Sequence, residues 1–87
     1  MASVIRGTVR DPGGSAIAGA RVFFESAPVA VPDVAILTDE SGRFALTAPA
    51  PGGYELRCVA DGYAAALVTA AVGRGGEVAL EVRLNPI

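Results

Sequence analysis

The side chains that could do chemistry in this sequence are few, and most stand in turns. Asp11, Asp39, Glu40 and Asp61 fall in or beside Gly- and Ser-containing stretches. Six to eight oxygens gathered from such loops make a Ca²⁺ site. Read one at a time, the same carboxylates hold their own turns by accepting backbone N–H groups. No calcium-loop spacing is present, so the turn reading leads and no metal is expected. His is absent, which removes the usual acid–base group near neutral pH, the commonest metal ligand and every Ser-His-Asp or Cys-His arrangement. The one cysteine, Cys58, allows neither an intrachain disulfide nor a cysteine–zinc cluster. All seven basic residues are arginine, so no lysine is available as a Schiff base or isopeptide donor. Gly73-Arg74-Gly75-Gly76 lacks the Lys-Ser/Thr ending of a phosphate loop and reads as a hairpin turn. The expectation is no catalytic residue and no cofactor.

What remains is surface for a partner. Two stretches placed as loops are apolar: Ala27-Pro28-Val29-Ala30-Val31-Pro32 and Ala48-Pro49-Ala50-Pro51. Exposed apolar patches mark partner sites, which makes Val29, Val31 and Ala50 candidates for docking a protein. The competing reading folds Val29 and Val31 back as an edge strand or a cap on the core. Phe23 is a further candidate, as an interface anchor or a platform for a sugar ring, against the ordinary reading of one exposed aromatic. A protein partner is favoured over a carbohydrate, because Trp is absent and only two Tyr and three Phe occur.

These residues are carried by strands. Period-two alternation recurs, with turn residues every 8–12 positions or so, the pattern of an all-β sandwich or barrel. Val4–Arg10 alternates Ile5, Gly7 and Val9 inward against Arg6, Thr8 and Arg10. Ala20–Glu25 sets Ala20, Val22 and Phe24 inward, leaving Phe23 outside. Pro28 and Pro32 make Ser26–Asp33 a loop or ragged edge. Val34–Thr38 reads as a third strand, followed by the turn Asp39-Glu40-Ser41-Gly42, in which Asp39 bonds backbone amides and Gly42 supplies a positive φ. A fourth strand carries Phe44 and Leu46 inward. Tyr54–Ala60 puts Tyr54, Leu56 and Cys58 inside, Gly62 turns the chain, and Tyr63–Val72 is small or apolar on both faces. The seventh strand alternates Val78, Leu80, Val82 and Leu84 against Glu77, Glu81 and Arg83. Antiparallel order would gather the acidic turns at one end and the apolar loops at the other.

The order Ile5-Arg6-Gly7-Thr8-Val9, Asp11-Pro12-Gly13-Gly14, Ile17-Ala18-Gly19-Ala20-Arg21-Val22, Thr38-Asp39-Glu40-Ser41-Gly42-Arg43-Phe44, Gly53-Tyr54-Glu55-Leu56, Asp61-Gly62-Tyr63 resembles the carboxypeptidase regulatory-like domain family. That resemblance implies a seven-stranded transthyretin-like (prealbumin-like) Greek-key sandwich and an accessory role in binding, spacing or assembly. Related folds that are enzymes need histidines this chain lacks, and surface-pilin domains with isopeptide bonds need the missing lysine.

With 87 residues, 52% apolar and 18% charged, the chain suits a single domain of residues 1–87 and not a disordered segment. A net charge of −2 disfavours nucleic acid. The longest run of small or apolar residues, Ala64–Val72, is about half of what spans a bilayer, so no membrane insertion is expected. The start Met1-Ala2-Ser3-Val4-Ile5-Arg6-Gly7 does not read as a signal peptide. A cytoplasmic chain, a mature exported chain and an excised domain would look alike here, and the compartment stays open.

Overall fold

Alternation drives the architecture. A computed structural model describes residues 3–32 and 34–87. It contains seven strands: β1 (Ser3–Arg10), β2 (Arg21–Ser26), β3 (Ile36–Leu37), β4 (Arg43–Ala48), β5 (Gly52–Val59), β6 (Ala66–Val72) and β7 (Gly76–Arg83). They form two layers, one ordered β4-β1-β7 and the other β3-β2-β5-β6. Every pair is antiparallel except β1 with β7, which run parallel. The result is an all-β sandwich of seven strands. Asp33, the expected end of the second loop, and the Met1-Ala2 start lie outside the described residues.

The inward sets meet between the layers. Ile5 and Val9 of β1, Val22 of β2, Tyr54, Leu56 and Cys58 of β5, and Val82 and Leu84 around the end of β7 are buried. Each such aliphatic side chain contributes about 1.5–3 kcal/mol by leaving water. Gly7 pairs with Phe44 across the β1–β4 ladder. The Phe44 ring occupies the space that a Cβ on Gly7 would need, with the Leu80 carbonyl 3.0 Å from that position. Gly42, at φ 73°, closes the turn into β4 against the Val9 carbonyl. Gly62, at φ 83°, closes the turn ahead of Tyr63, which is half-buried against the core.

A buried polar knot holds the chain ahead of β2 to the end of β3, at the base of the β3–β4 turn. The Thr38 hydroxyl donates to the Ile17 carbonyl at 2.7 Å and accepts from the Ala20 N–H at 2.9 Å. The Thr38 main chain also exchanges bonds with Ala20 and Gly19.

Three strand boundaries and one turn depart most from the alternation reading. The third strand shrinks from 34–38 to Ile36–Leu37 because the chain before it leaves the sheet, with Val34 66% exposed. The fifth starts at Gly52, whose φ of 140° few side chains adopt, so two glycines that look like breakers pair with Val72 and Ala71. The sixth starts at Ala66, since Gly62–Ala64 bonds instead to the C-terminal stretch near Asn85 and Ile87. The Gly73–Gly76 turn does not close a hairpin, because β6 and β7 belong to different sheets.

Candidate binding cleft

The two flanks of the sandwich differ. On one, β6 and β7 lie side by side. On the other, the edges are β3 and β4, and β3 covers only Arg21 and Val22 of β2. Phe23–Ser26 therefore has no strand partner on that side. The reason lies in the connection. Pro28 and Pro32 lack N–H donors, and no backbone–backbone hydrogen bond of residues 27–32 or 34–35 is found among the described residues. Apolar contact holds the segment in place: Ala27 and Val31 pack on the core, and Pro28 sits against Gly52.

Where the chain departs, a cleft of about 380 Å³ opens between the layers. Phe24 forms its floor, Pro32, Val34 and Ile36 one wall, and Leu46, Thr47 and Pro49 of the β4 side the other. Phe24 is held by the Tyr54 ring, with centroids 5.2 Å apart. Among the described residues no lining residue is charged, and the Thr47 hydroxyl is the only side-chain polar group. Binding sites for apolar groups have this volume range and character.

The β4 edge beside the cleft is open. The Val9 N–H donates to the Gly42 carbonyl at 2.8 Å, whereas the Arg43 carbonyl accepts from the Asp39 N–H at 3.0 Å. Directions alternate along a strand. The main-chain groups of Phe44, Leu46 and Ala48 thus face β1, and those of Ala45 and Thr47 face the open edge. Arg43, at the start of the strand, is exposed. Its neighbours on this sheet are paired, Arg6 with Glu77 at 3.0 Å and Arg10 with Glu81 at 3.4 Å. Arg43 has no ion pair among the described residues.

The partner candidates named by sequence do not converge. Phe23 lies on the outer face of the four-stranded sheet, half-buried opposite Arg57, which pairs with Glu25. Val29 is 43% exposed, while Val31 is half-buried against the core. Ala50 is tied down: its carbonyl accepts from the Tyr54 hydroxyl at 2.6 Å and its N–H donates back at 3.2 Å. None of the four lines the cleft. The loop contributes Pro32 and Val34 instead. The signal for Val34 was the unbroken apolar run Val34-Ala35-Ile36-Leu37, which alternation assigned whole to a strand.

The acidic turns serve themselves. Asp39 Oδ1 accepts from the Ser41 and Arg43 N–H groups, and Asp11 Oδ1 accepts from that of Ser15, all at 2.9 Å. Among the described residues no three acidic or thiol side chains are placed to hold a metal ion. Burial pushes the Cys58 thiol up to about 11, away from the range of a reactive thiolate. Among the described residues no helix is long and apolar enough to cross a membrane.

Comparison with known proteins agrees with this geometry. The carboxypeptidase regulatory-like domain model matches residues 4–85, and the chain belongs to that family. No curated protein sequence matches significantly. Among solved structures, the Bacillus anthracis TIE protein superposes with a TM-score of 0.78 at 14% identity, over 99% of this chain and 17% of that one. A minor pilin of Streptococcus agalactiae gives 0.73 at 16%, over 99% and 45%. Catechol 1,2-dioxygenase of Acinetobacter radioresistens gives 0.76 at 16%, over 99% and 52%. At these identities the likeness is one of fold, and the chain spans about half or less of each of these relatives.

Proposed function

We propose that this carboxypeptidase regulatory-like chain is a non-catalytic accessory module, a single domain of residues 1–87 that docks a protein partner at its open flank. The cleft of about 380 Å³ between the sheet edges, apolar but for Thr47 among the described residues, is the observation that carries this reading. A set of side chains without histidine or lysine supports it, since no acid, base and nucleophile converge. Relatives of the same fold include a minor pilin and a chain of a cohesin–X–dockerin complex, both parts of assemblies. Carbohydrate binding is the weaker alternative, because the cleft offers one side-chain hydroxyl and the half-buried Phe23 lies elsewhere.

The test is affinity capture from the native cells with the unaltered chain, with Val34→Asp and with the Val29→Ser/Val31→Ser pair, followed by titration of the purified partner. Val34 is exposed at the rim, so Val34→Asp leaves the fold intact and puts a charge in the cleft. A partner lost by Val34→Asp supports the reading. A partner retained by it, or a strong glycan-array signal abolished by Phe23→Ala, overturns it.

A further inference from the structure

Resting on that reading of the cleft, we infer that the partner binds as an extended strand added to the open edge of β4. It would run antiparallel to β4, with an apolar side chain in the cleft and a carboxylate beside Arg43. Two independent features meet here. The first is backbone. Ala45 and Thr47 present N–H and C=O groups to the open edge that have no partner among the described residues, and the β1–β4 register runs without a shift from Ser3↔Ala48 to Thr8↔Arg43. Exposed edges are ordinarily blunted by a charge, a proline or a bulge, and Phe44–Ala48 contains none of these. The second is the cleft, which adjoins this edge through Leu46, Thr47 and Pro49. Strand addition uses both: main-chain bonds supply affinity, and pockets for alternate side chains supply selectivity.

The register specifies the occupant. Odd-numbered residues of β4 point to the outer face and even-numbered ones inward. Opposite Ala48, Leu46 and Phe44 the added strand needs apolar residues, of which the one opposite Leu46 enters the cleft. Opposite Thr47 and Ala45 it needs polar ones. Opposite Arg43 a carboxylate completes the charge pairing that Arg6 and Arg10 already have with Glu77 and Glu81. Read along the added strand, the pattern is apolar-polar-apolar-polar-apolar-acidic.

The probe is the capped peptide Val-Thr-Leu-Thr-Val-Glu, titrated into the ¹⁵N-labelled 87-residue chain and followed by amide shifts and hydrogen exchange. We expect shifts in Phe44–Ala48 and Val34–Ile36, and slowed exchange at Ala45 and Thr47. Replacing the central leucine of the peptide by aspartate should weaken binding at least about tenfold. Thr47→Pro removes an edge-facing N–H without touching the β1 ladder and should do the same. Arg43→Glu should weaken it about threefold, as for an exposed ion pair, and a lysine in place of the peptide glutamate should restore it. Should Thr47→Pro fail to fold, the charge swap and the exchange pattern still decide. No shift at millimolar peptide, shifts centred on β6 or β7, or indifference to the leucine replacement overturns strand addition. If Val34→Asp nonetheless loses its captured partner, docking at the cleft stands and only its mode is wrong. If neither effect is found, both readings fail.

Discussion

Thr38→Val is isosteric and β-branched like the native residue, so it tests one thing: the hydroxyl that bridges Ile17 and Ala20. Both partner groups are buried backbone, and the bonds measure 2.7 and 2.9 Å. Valine leaves the Ile17 carbonyl and the Ala20 N–H without these bonds. Each orphaned group costs about 1–3 kcal/mol, so the change should destabilise by about 2–6 kcal/mol. Stabilities of about 0.05–0.15 kcal/mol per residue put the whole domain near 4–13 kcal/mol. A large share of it would be lost, and at about 4–8 °C per kcal/mol Tm should fall by roughly 8 °C or more. Urea denaturation followed by far-UV circular dichroism measures this. Thr38→Ser is the control, since it keeps both bonds and loses one methyl, about 1 kcal/mol. The expected order is wild type, then Ser, then Val. A valine variant within about 0.5 kcal/mol of wild type, or more stable than the serine variant, would refute the assignment of the knot.

Two further outcomes follow from the core. Alanine ordinarily stabilises a strand relative to glycine, but Gly7→Ala should lose about 1–3 kcal/mol, because its methyl meets the buried Phe44 ring and the Leu80 carbonyl; a melt at or above the wild-type Tm would contradict this. Cys58 ionises near 9.0 when unfolded and is pushed up to about 11 by burial. The unfolded chain then releases its proton first as pH rises, so stability is full below about pH 9 and declines between 9 and 11. At about 1.4 kcal/mol per unit the loss approaches 2–3 kcal/mol. Cys58→Ala should flatten that part of the profile in urea melts at pH 7, 9 and 10.5, and an unchanged slope would count against the burial argument.

The sandwich was legible because its inward residues alternate without exception in the strands that matter most. Ile5 and Val9, Tyr54, Leu56 and Cys58, and Val82 and Leu84 all sit where period two places them. The turns were legible for the same local reason: Asp39 and Gly42 act within five residues of each other. The cleft was not. It is assembled from Phe24, Pro32, Val34–Ile36, Leu46, Thr47 and Pro49, and no local pattern links them. The apolar run Val34–Leu37 satisfies a buried strand and a chain leaving the sheet equally well, because alternation says nothing about how long a pairing persists. Ala50 was misleading in the same way. An apolar residue between prolines resembles an exposed patch until the Tyr54 hydroxyl is seen to bind its main chain.

The prolines that hid the cleft also create it. Two N–H groups missing from the 27–35 connection leave that segment unable to extend β3 along β2, and Pro28 is seated where Gly52, at φ 140°, leaves room for it. The vacant position is therefore set by composition and does not await a missing contact within the chain. Its size also limits what it can do. An added strand of about six residues buries well under the 1,200 Å² or so of a stable protein interface. On its own it should bind weakly and exchange quickly. Strong assembly would need the strand and the sandwich to be held near each other by larger chains, where tethering raises the effective concentration to the millimolar range. A module whose selectivity lies in one apolar side chain and one carboxylate is suited to that use.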